Sequence, residues 1–154
     1  MKTIDLINYQ YINNKFNRVD IVVRYMYVKE YLEGKSEYDA KDLYSLMLKR
    51  RGVEKYDSVE NYMLKFNKTI DSINEIGFDE NFPIEVNKEN LLWDGSHRIS
   101  ISHYLKIKDI SVKQMNPPKV GLWGMNWFVN NKFEDNYLEQ IEDCYNKHFH
   151  IINH

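Results

Sequence analysis

Residues 93–98 of the sequence read Trp93-Asp94-Gly95-Ser96-His97-Arg98 and join an apolar run to a longer segment with helical spacing. The apolar residues at 91–93 predict a buried strand, and the Asp-Gly pair predicts a turn. The apolar side chains between 99 and 105 predict a helix that begins at about Ser96. The first amides of such a helix lack intrahelical partners and its dipole is positive there, so the stretch predicts a site for an anion such as phosphate.

The composition of the whole chain limits its class. The 154 residues suit a single domain with a real core. The chain has 21 lysine and arginine residues against 23 aspartate and glutamate residues, and a net charge of -2 argues against nucleic acid and anionic membrane as partners. No apolar run approaches the roughly 18 residues of a membrane helix. The single Cys144 excludes an internal disulfide and no signal-peptide pattern is present, so a cytoplasmic protein is predicted.

The first half of the chain is predicted to be helical. A stretch at 2–7 fits either a short edge strand or an irregular lead-in, and the polar residues at 13–15 then break the pattern. Three helices follow, each with polar capping residues at its start and a glycine at its end. Their predicted bounds are Asn17 to Gly34, Ser36 with Asp39 to Gly52, and Asp57 or Ser58 to Gly77.

After Gly77 the apolar period changes from that of a helix to that of a strand. A hairpin is predicted from an alternating run at 82–86, a polar turn at 87–90 and the apolar run at 91–93. The helix at 96–105 and an alternating strand at 107–115 come next. An ordered aromatic loop at 120–128 and a last helix at 133–149 complete the chain.

Residues 73–113 resemble the ParB/sulfiredoxin-like superfamily. The features that carry the resemblance are a Gly-Phe pair after a helix, the strand at 83–86, the hairpin, the Asp-Gly-x-His-Arg motif at 94–98, the helix after it and the strand at 107–112. The resemblance implies an α+β fold whose core is a small mixed sheet with helices. It divides the single domain 1–154 into an N-terminal helical segment at 1–56, a nucleotide-binding core at 57–115, and the aromatic loop with the C-terminal helix at 116–154.

Departures from the superfamily pattern separate its branches. Sulfiredoxins have a reactive cysteine where this chain has Ser96, which disfavours sulfinic-acid reduction. Chromosome-partition members carry a helix-turn-helix domain after the core, and the segment that follows Lys113 is too short for one. The motif looks most like that of the free-serine kinases and of small proteins associated with surface-glycan synthesis, and the helical segment from Arg18 to Arg51 also looks like the latter group.

This resemblance implies an ATP-dependent kinase with magnesium carried by the nucleotide. The acceptor would be a hydroxyl of a small molecule, an amino acid or a sugar, with a sugar or precursor of surface polysaccharide as the leading class. The alternatives are a regulatory module that binds a nucleotide without catalysis, and a ParB-like protein that associates with DNA or acts as a nuclease.

The junction offers the groups that phosphoryl transfer needs, including the Ser96 hydroxyl, which would donate to phosphate or help to hold magnesium; only the role of Asp94 is taken from the resemblance. Asp94 would be a catalytic acid or would contact the metal-bound nucleotide, and the amides of Gly95, Ser96 and His97 would face phosphate oxygens. His97 and Arg98 would neutralise the charge that develops on the phosphate. The alternative is a purely structural turn, in which Ser96 caps the helix and Arg98 is a surface charge.

The first predicted long helix carries candidates for the carboxylate that would activate the acceptor hydroxyl. Asp20, Arg24 and Tyr27 share one face of that helix, and Glu30 lies close to the same face one turn further along. Asp20 and Glu30 are therefore candidate general bases, and Arg24 is a candidate nucleotide ligand; the alternative is a solvated helix face with an Asp-Arg pair. Glu85 is a weaker candidate, because strand alternation points it away from the apolar side.

Three other patterns favour ordinary structural roles. Cys144 and His148 lie one helical turn apart, with His150 and His154 beyond, but no second ligand pair completes a zinc pattern and no metal site is predicted. The basic cluster at 49–51 fits either the end of a helix or a phosphate contact. The rings of Trp123, Trp127 and Phe128 fit core packing better than stacking on a base or a sugar.

Overall fold

The computed structural model describes residues 1–35 and 37–149. In this part of the chain the helices are α1 Thr3–Asn8, α2 Val19–Glu33, α3 Ala40–Arg50, α4 Val59–Ile76, α5 Ser96–Tyr104, α6 Met125–Asn130 and α7 Asp135–His148. The strands are β1 Tyr11–Ile12, β2 Lys15–Phe16, β3 Ile84–Val86, β4 Leu92–Asp94 and β5 Val112–Gln114, and a short 3-10 turn covers Val53–Lys55. The predicted α+β class is confirmed. None of the helices described combines the length and the apolar character of a membrane span.

The helix α2 lies at the centre of the molecule. Every residue from Val19 to Val28 is buried, and the helix packs against α3, α5 and α7. A helix that is covered on all sides needs apolar residues around its whole circumference, which the run of valine, isoleucine, tyrosine and methionine supplies. Gly34 ends it with a φ of +68° and donates its amide to the Glu30 carbonyl, as the sequence predicts.

The main sheet has the strand order β4-β3-β5. The strands β3 and β4 form the predicted antiparallel hairpin, and β5 pairs with β3 in parallel after the chain has passed through α5. The side chains of Ile84 and Val86 are buried, whereas Glu85 between them points to the opposite face. Glu85 pairs in register with Asp94 on one side and with Lys113 on the other, which places three charged residues in one row.

The helix α5 is fixed to α2 through small side chains. Ser100 and Ser102 are fully buried in α5. The Ser100 hydroxyl oxygen lies 2.6 Å from the Ser96 carbonyl oxygen and 3.3 Å from the Ile21 carbonyl oxygen of α2. This close packing fixes the position of the first turn of α5 relative to α2.

The first element differs from the prediction. Residues 3–8 form the helix α1, not an edge strand or an irregular lead-in. The buried residues Thr3, Leu6 and Ile7 have helical spacing, which a window of six residues does not distinguish from strand alternation. Contacts far along the chain stabilise the helix, because the Thr3 amide donates to the Lys108 carbonyl and its hydroxyl donates to the Ile107 carbonyl at 2.6 Å.

Other boundaries also differ from the sequence prediction. Asn13 and Asn14 have φ values of 51° and 62° and form the tight turn of a small hairpin, β1-β2, where only a break was predicted. Arg18, not Asn17, is the capping residue of α2. The predicted loop at 120–128 contains the start of α6, and the strand predicted at 107–115 is confined to Val112–Gln114. The predicted start signal at Ser36 lies outside the described residues.

Gly95 is the one position where the main turn requires glycine. Its φ is +125°, and a Cβ atom there would lie 2.9 Å from two carbons of the Ile84 side chain. We expect Gly95→Ala to lower the free energy of unfolding by about 2 kcal/mol or more, because backbone strain and overpacking add. The matched control is Gly34→Ala, whose φ is +68° with no atom within 4 Å of the new Cβ. Chemical denaturation that gave equal losses for the two variants would contradict this reading of the turn.

Candidate functional site

The first turn of α5 separates two clefts. Gly95 precedes the helix, and no side chain caps the helix start. The amides of the first turn are therefore available to a ligand, and the helix dipole favours an anion there. Asp94, Gly95 and His97 line both clefts. The junction predicted from the sequence is thus the meeting point of two cavities.

The first cavity, here called the arginine cleft, has a volume of about 550 Å³. Its basic wall contains Arg18 and Arg24 from the start of α2 and Arg51 from the end of α3. Aromatic rings form much of the remaining wall and rim, namely Tyr56, Tyr62, Trp93 and Trp123. Cationic groups and aromatic faces thus meet in one cavity at the start of α5.

A single buried carboxylate, that of Asp20, holds two of these arginines in place. Its oxygens accept hydrogen bonds from Arg18 Nε at 2.8 Å and Nη2 at 2.7 Å, and from Arg24 Nη1 at 2.6 Å. Burial alone would raise the pKa of Asp20, but the charges of Arg18, Arg24 and Arg51 outweigh burial and lower the pKa to about 2. Asp20 is therefore ionised at neutral pH and fully occupied by its arginine partners.

The third arginine has no carboxylate of its own. Arg51 makes no ion pair with a described residue, and its guanidinium lies 4.4 Å from the centre of the Trp123 ring. Burial, together with the nearby charge of Arg24, lowers the pKa of Arg51 to about 10. The Nε of Arg24 is also buried without a hydrogen-bond partner among the described residues. Three guanidinium groups thus share one carboxylate, and a bound anion would balance the surplus positive charge and supply the missing hydrogen bond.

The imidazole of His97 lies beside this charge but does not add to it. Its Nε2 is 3.1 Å from the Tyr44 hydroxyl, and its ring packs edge-on against Phe66 at 4.6 Å. Burial, and then the charges of Arg24 and Arg51, lower the pKa of His97 well below its ordinary value. Free His97 is therefore neutral at pH 7, and the positive charge predicted at this position comes from the three arginines instead.

The second cavity, here called the polar cleft, has a volume of about 830 Å³ and lies on the other side of the turn. Its carboxylates are Asp79, Glu85 and Asp94, and its cations are Lys68, Arg98 and Lys113. The Asp94 side chain is 69% exposed, and its Oδ2 lies 3.9 Å from Arg98 Nη2. The Nη1 of Arg98 donates to the Phe82 carbonyl, so this side chain is anchored at the edge of the cleft.

The structure brings most of the predicted site residues together. Ser96 and Arg24 line the arginine cleft, Arg98 lines the polar cleft, and Asp94, Gly95 and His97 line both. Two residues predicted as general bases lie elsewhere. Asp20 is buried beneath the arginines, and Glu30 lines a separate surface pocket together with Asp39 and Asp42. The alternative of a solvated Asp-Arg pair on α2 is wrong, because Asp20 and Arg24 are buried.

Four residues that line the two clefts were not predicted as site residues from the sequence or were given as weaker candidates. Arg18 and Lys113 carry no local signal, since one lies just before a helix and the other in a short strand. Arg51 belongs to the basic cluster at 49–51, and the structure places it in the arginine cleft. Glu85 points away from the apolar side as predicted, but that direction leads into the polar cleft beside Asp94.

The cysteine, histidine and aromatic patterns of the last third of the sequence have different places in the structure. Cys144 is fully buried, and burial raises the pKa of its thiol, which keeps it protonated. No group of three His, Cys, Asp or Glu side chains among residues 1–35 and 37–149 is arranged to hold a metal ion, and His150 and His154 lie outside these ranges. Phe128 is buried in the core, whereas Trp123 lines the arginine cleft.

Comparisons with known proteins assign no family, relative or known structure to this chain. A scan against protein-family models found no match, and searches of curated proteins and of solved structures found no significant similarity. The resemblance of residues 73–113 to the ParB/sulfiredoxin-like superfamily therefore stays a prediction. Function has to be inferred from the two clefts and the turn between them.

Proposed function

We propose that the protein binds ATP with its magnesium ion and transfers the terminal phosphate to a hydroxyl group of a small acceptor. The nucleotide phosphates occupy the arginine cleft and the acceptor occupies the polar cleft. The observation that carries this proposal is the surplus of buried guanidinium charge at an uncapped helix start, where Arg51 has no carboxylate partner among the described residues and Arg24 Nε is unsatisfied.

The arginine cleft has the chemistry that a nucleotide needs. Guanidinium groups bind phosphate oxygens through paired hydrogen bonds, and these bonds are strongest where water is excluded. Tyr56 and Trp93, which are 85% and 45% exposed, stand at the same cleft and offer ring faces to a base. A phosphorylated ligand with an aromatic base would therefore cover both the charged wall and the rim.

The arrangement of the two clefts suits group transfer. Phosphoryl transfer depends mainly on holding donor and acceptor in line and on neutralising charge. Asp94 lies at the boundary between the clefts, and Glu85 is its partner in the sheet register. These two carboxylates are the candidates for receiving the proton of the acceptor hydroxyl. The polar lining of the second cleft suits a hydroxylated molecule, and the resemblance to proteins of surface-glycan synthesis favours a sugar or its precursor over an amino acid.

The test is acceptor-dependent formation of ADP from ATP and magnesium, with pooled sugars and amino acids as acceptors. We expect Asp94→Asn to lower this rate by about 100-fold, the size of effect typical of a general acid or base. Binding of ATP should not weaken, because Asp94 adds only a negative charge to the lining of the arginine cleft. Glu89→Gln, an exposed position in the same hairpin, is the matched control. Wild-type turnover in Asp94→Asn would rule out this role.

A regulatory module that binds a nucleotide without catalysis is the second candidate. It is favoured by the exposure of Asp94, whose single ion pair among the described residues is the long contact with Arg98. Tight ATP binding without acceptor-dependent ADP would support this candidate over the kinase. A DNA-associated or nuclease-like protein would instead bind DNA with a steep dependence on salt, which a mobility-shift assay at low and high salt would detect.

A further inference from the structure

His97 is surrounded by an uneven set of charges. On the side of the arginine cleft it faces Asp20 and Arg24 of α2 and Arg51 at the end of α3, and Arg18 lines the same cavity. Three cations and one buried carboxylate lie on this side, and the exposed carboxylate of Asp94, which lines both cavities, is counted below with the polar cleft. The Tyr44 hydroxyl of α3 meets its Nε2, and burial raises the pKa of Tyr44, which keeps this hydroxyl neutral.

The charges across the polar cleft are balanced. Its cations are Lys68 of α4, Arg98 of α5 and Lys113 of β5, and its carboxylates are Asp79, Glu85 and Asp94. Three positive groups therefore face three negative groups on this side. Burial opposes a proton on His97 most strongly, and the surplus of two positive charges, which lies on the arginine-cleft side, opposes it further.

An anion in the arginine cleft would remove the electrostatic part of that opposition, and its own negative charge would act against the cost of burial. A doubly charged tetrahedral group has a charge equal and opposite to the surplus of the three arginines over Asp20. With the surplus balanced, a neighbouring imidazole gains by becoming positive, because an opposite charge within a few ångströms favours its charged form. Nε2 makes the only hydrogen bond found for this ring among the described residues, so Nδ1 remains for a ligand oxygen.

We infer that the arginine cleft binds a tetrahedral dianion together with one proton, and that His97 holds this proton. The inference rests on the phosphate site of the proposed function and specifies its ligand class. The proton comes from solvent and forms the second N–H bond of the imidazolium, and no bond within the anion forms or breaks. The site therefore selects the dianion of a phosphate group over its monoanion, and the complex contains an imidazolium group beside the phosphate.

Sulfate is the probe that tests this inference, because it stays doubly charged throughout the relevant pH range and any proton taken up must reside on the protein. Sulfate binding is measured calorimetrically from pH 6 to pH 7.5 in two buffers of different ionisation enthalpy. We expect uptake of up to one proton per sulfate and an affinity that falls by up to about tenfold per pH unit as the pH rises. Equal heats in the two buffers, or an affinity independent of pH, would overturn the inference.

Two variants assign the proton to a residue. His97→Gln should bind sulfate without a pH dependence, whereas His103→Gln, at the far end of α5, should keep the wild-type dependence. A wild-type pH dependence in His97→Gln would overturn the assignment. If His97→Gln fails to fold, the imidazole signals of the wild-type protein, followed by nuclear magnetic resonance with and without sulfate, show directly whether His97 gains a proton.

The same measurements separate this inference from the proposed function. Sulfate binding without proton uptake would overturn the role of His97 and leave the anion site in place. Failure of sulfate, inorganic phosphate and ATP to bind at any pH would overturn both, because the arginine cleft would then not be an anion site.

Discussion

Asp20→Ala is expected to lower the free energy of unfolding by about 4 kcal/mol, the usual cost of removing one partner from a buried ion pair. The carboxylate is fully buried and accepts hydrogen bonds from Arg18 and Arg24, which are also buried. Without it, three guanidinium groups remain close together with no opposing charge. Urea denaturation at pH 7 measures the loss.

The matched control for Asp20 is Asp143→Asn, which breaks an exposed ion pair with Lys147. We expect this variant to unfold close to the wild-type denaturant concentration, because exposed pairs contribute little. The stabilisation due to Asp20 should also depend on pH in a defined direction. Since its folded pKa of about 2 lies below the ordinary value of 3.8, the stabilisation is complete above about pH 4 and is lost as the pH falls through 2. An Asp20→Ala protein as stable as Asp143→Asn would contradict this account.

Arg51→Met is expected to change binding and stability in opposite directions. Affinity for ATP or sulfate should fall by about 100-fold, because a charge-assisted contact between a half-buried guanidinium and the anion is lost. The free energy of unfolding of the ligand-free protein should rise by about 1 kcal/mol, because a half-buried guanidinium without a carboxylate partner is removed while much of its packing on Trp123 is kept. Calorimetric titration and denaturation without ligand measure the two effects.

Arg50→Met is the control for this pair of effects. Arg50 is the neighbouring residue, but it is exposed and donates its Nε to the Asn131 carbonyl on another surface. The Arg50→Met variant should keep its anion affinity within about twofold of wild type, as expected for a surface residue outside the site. A loss of affinity in Arg50→Met equal to that in Arg51→Met would indicate a general effect of surface charge and would contradict the assignment of Arg51 to the cleft.

The parts of the fold that follow from local sequence were predictable. Ser58 accepts a hydrogen bond from the Asn61 amide at the start of α4, and Gly77 ends the same helix with a φ of +87°, as their residue types predict. The helix α1 was not predictable, because its Thr3 contacts come from Ile107 and Lys108, about a hundred residues along the chain. A six-residue helix that depends on such distant contacts leaves little periodicity to detect.

The same distinction applies to the site. The turn from Asp94 to Arg98 is contiguous, so its position between a strand and a helix was predicted correctly. The arginine cleft is assembled from the segment before α2, from α2 itself and from the end of α3. Their convergence depends on how α2 packs against α3, which no local pattern encodes. Spacing placed Asp20 and Arg24 on one helix face, but only packing decides whether that face meets water, a ligand or another arginine.

The arginine cleft also bears on whether association or dissociation would distinguish one anionic ligand from another. The chain as a whole has a net charge of -2, so its long-range field does not draw anions toward the surface. Without long-range steering, association proceeds at an ordinary rate for every anion that fits, and preference is expressed in residence time. The anion that the proposed site prefers would therefore be one that dissociates slowly.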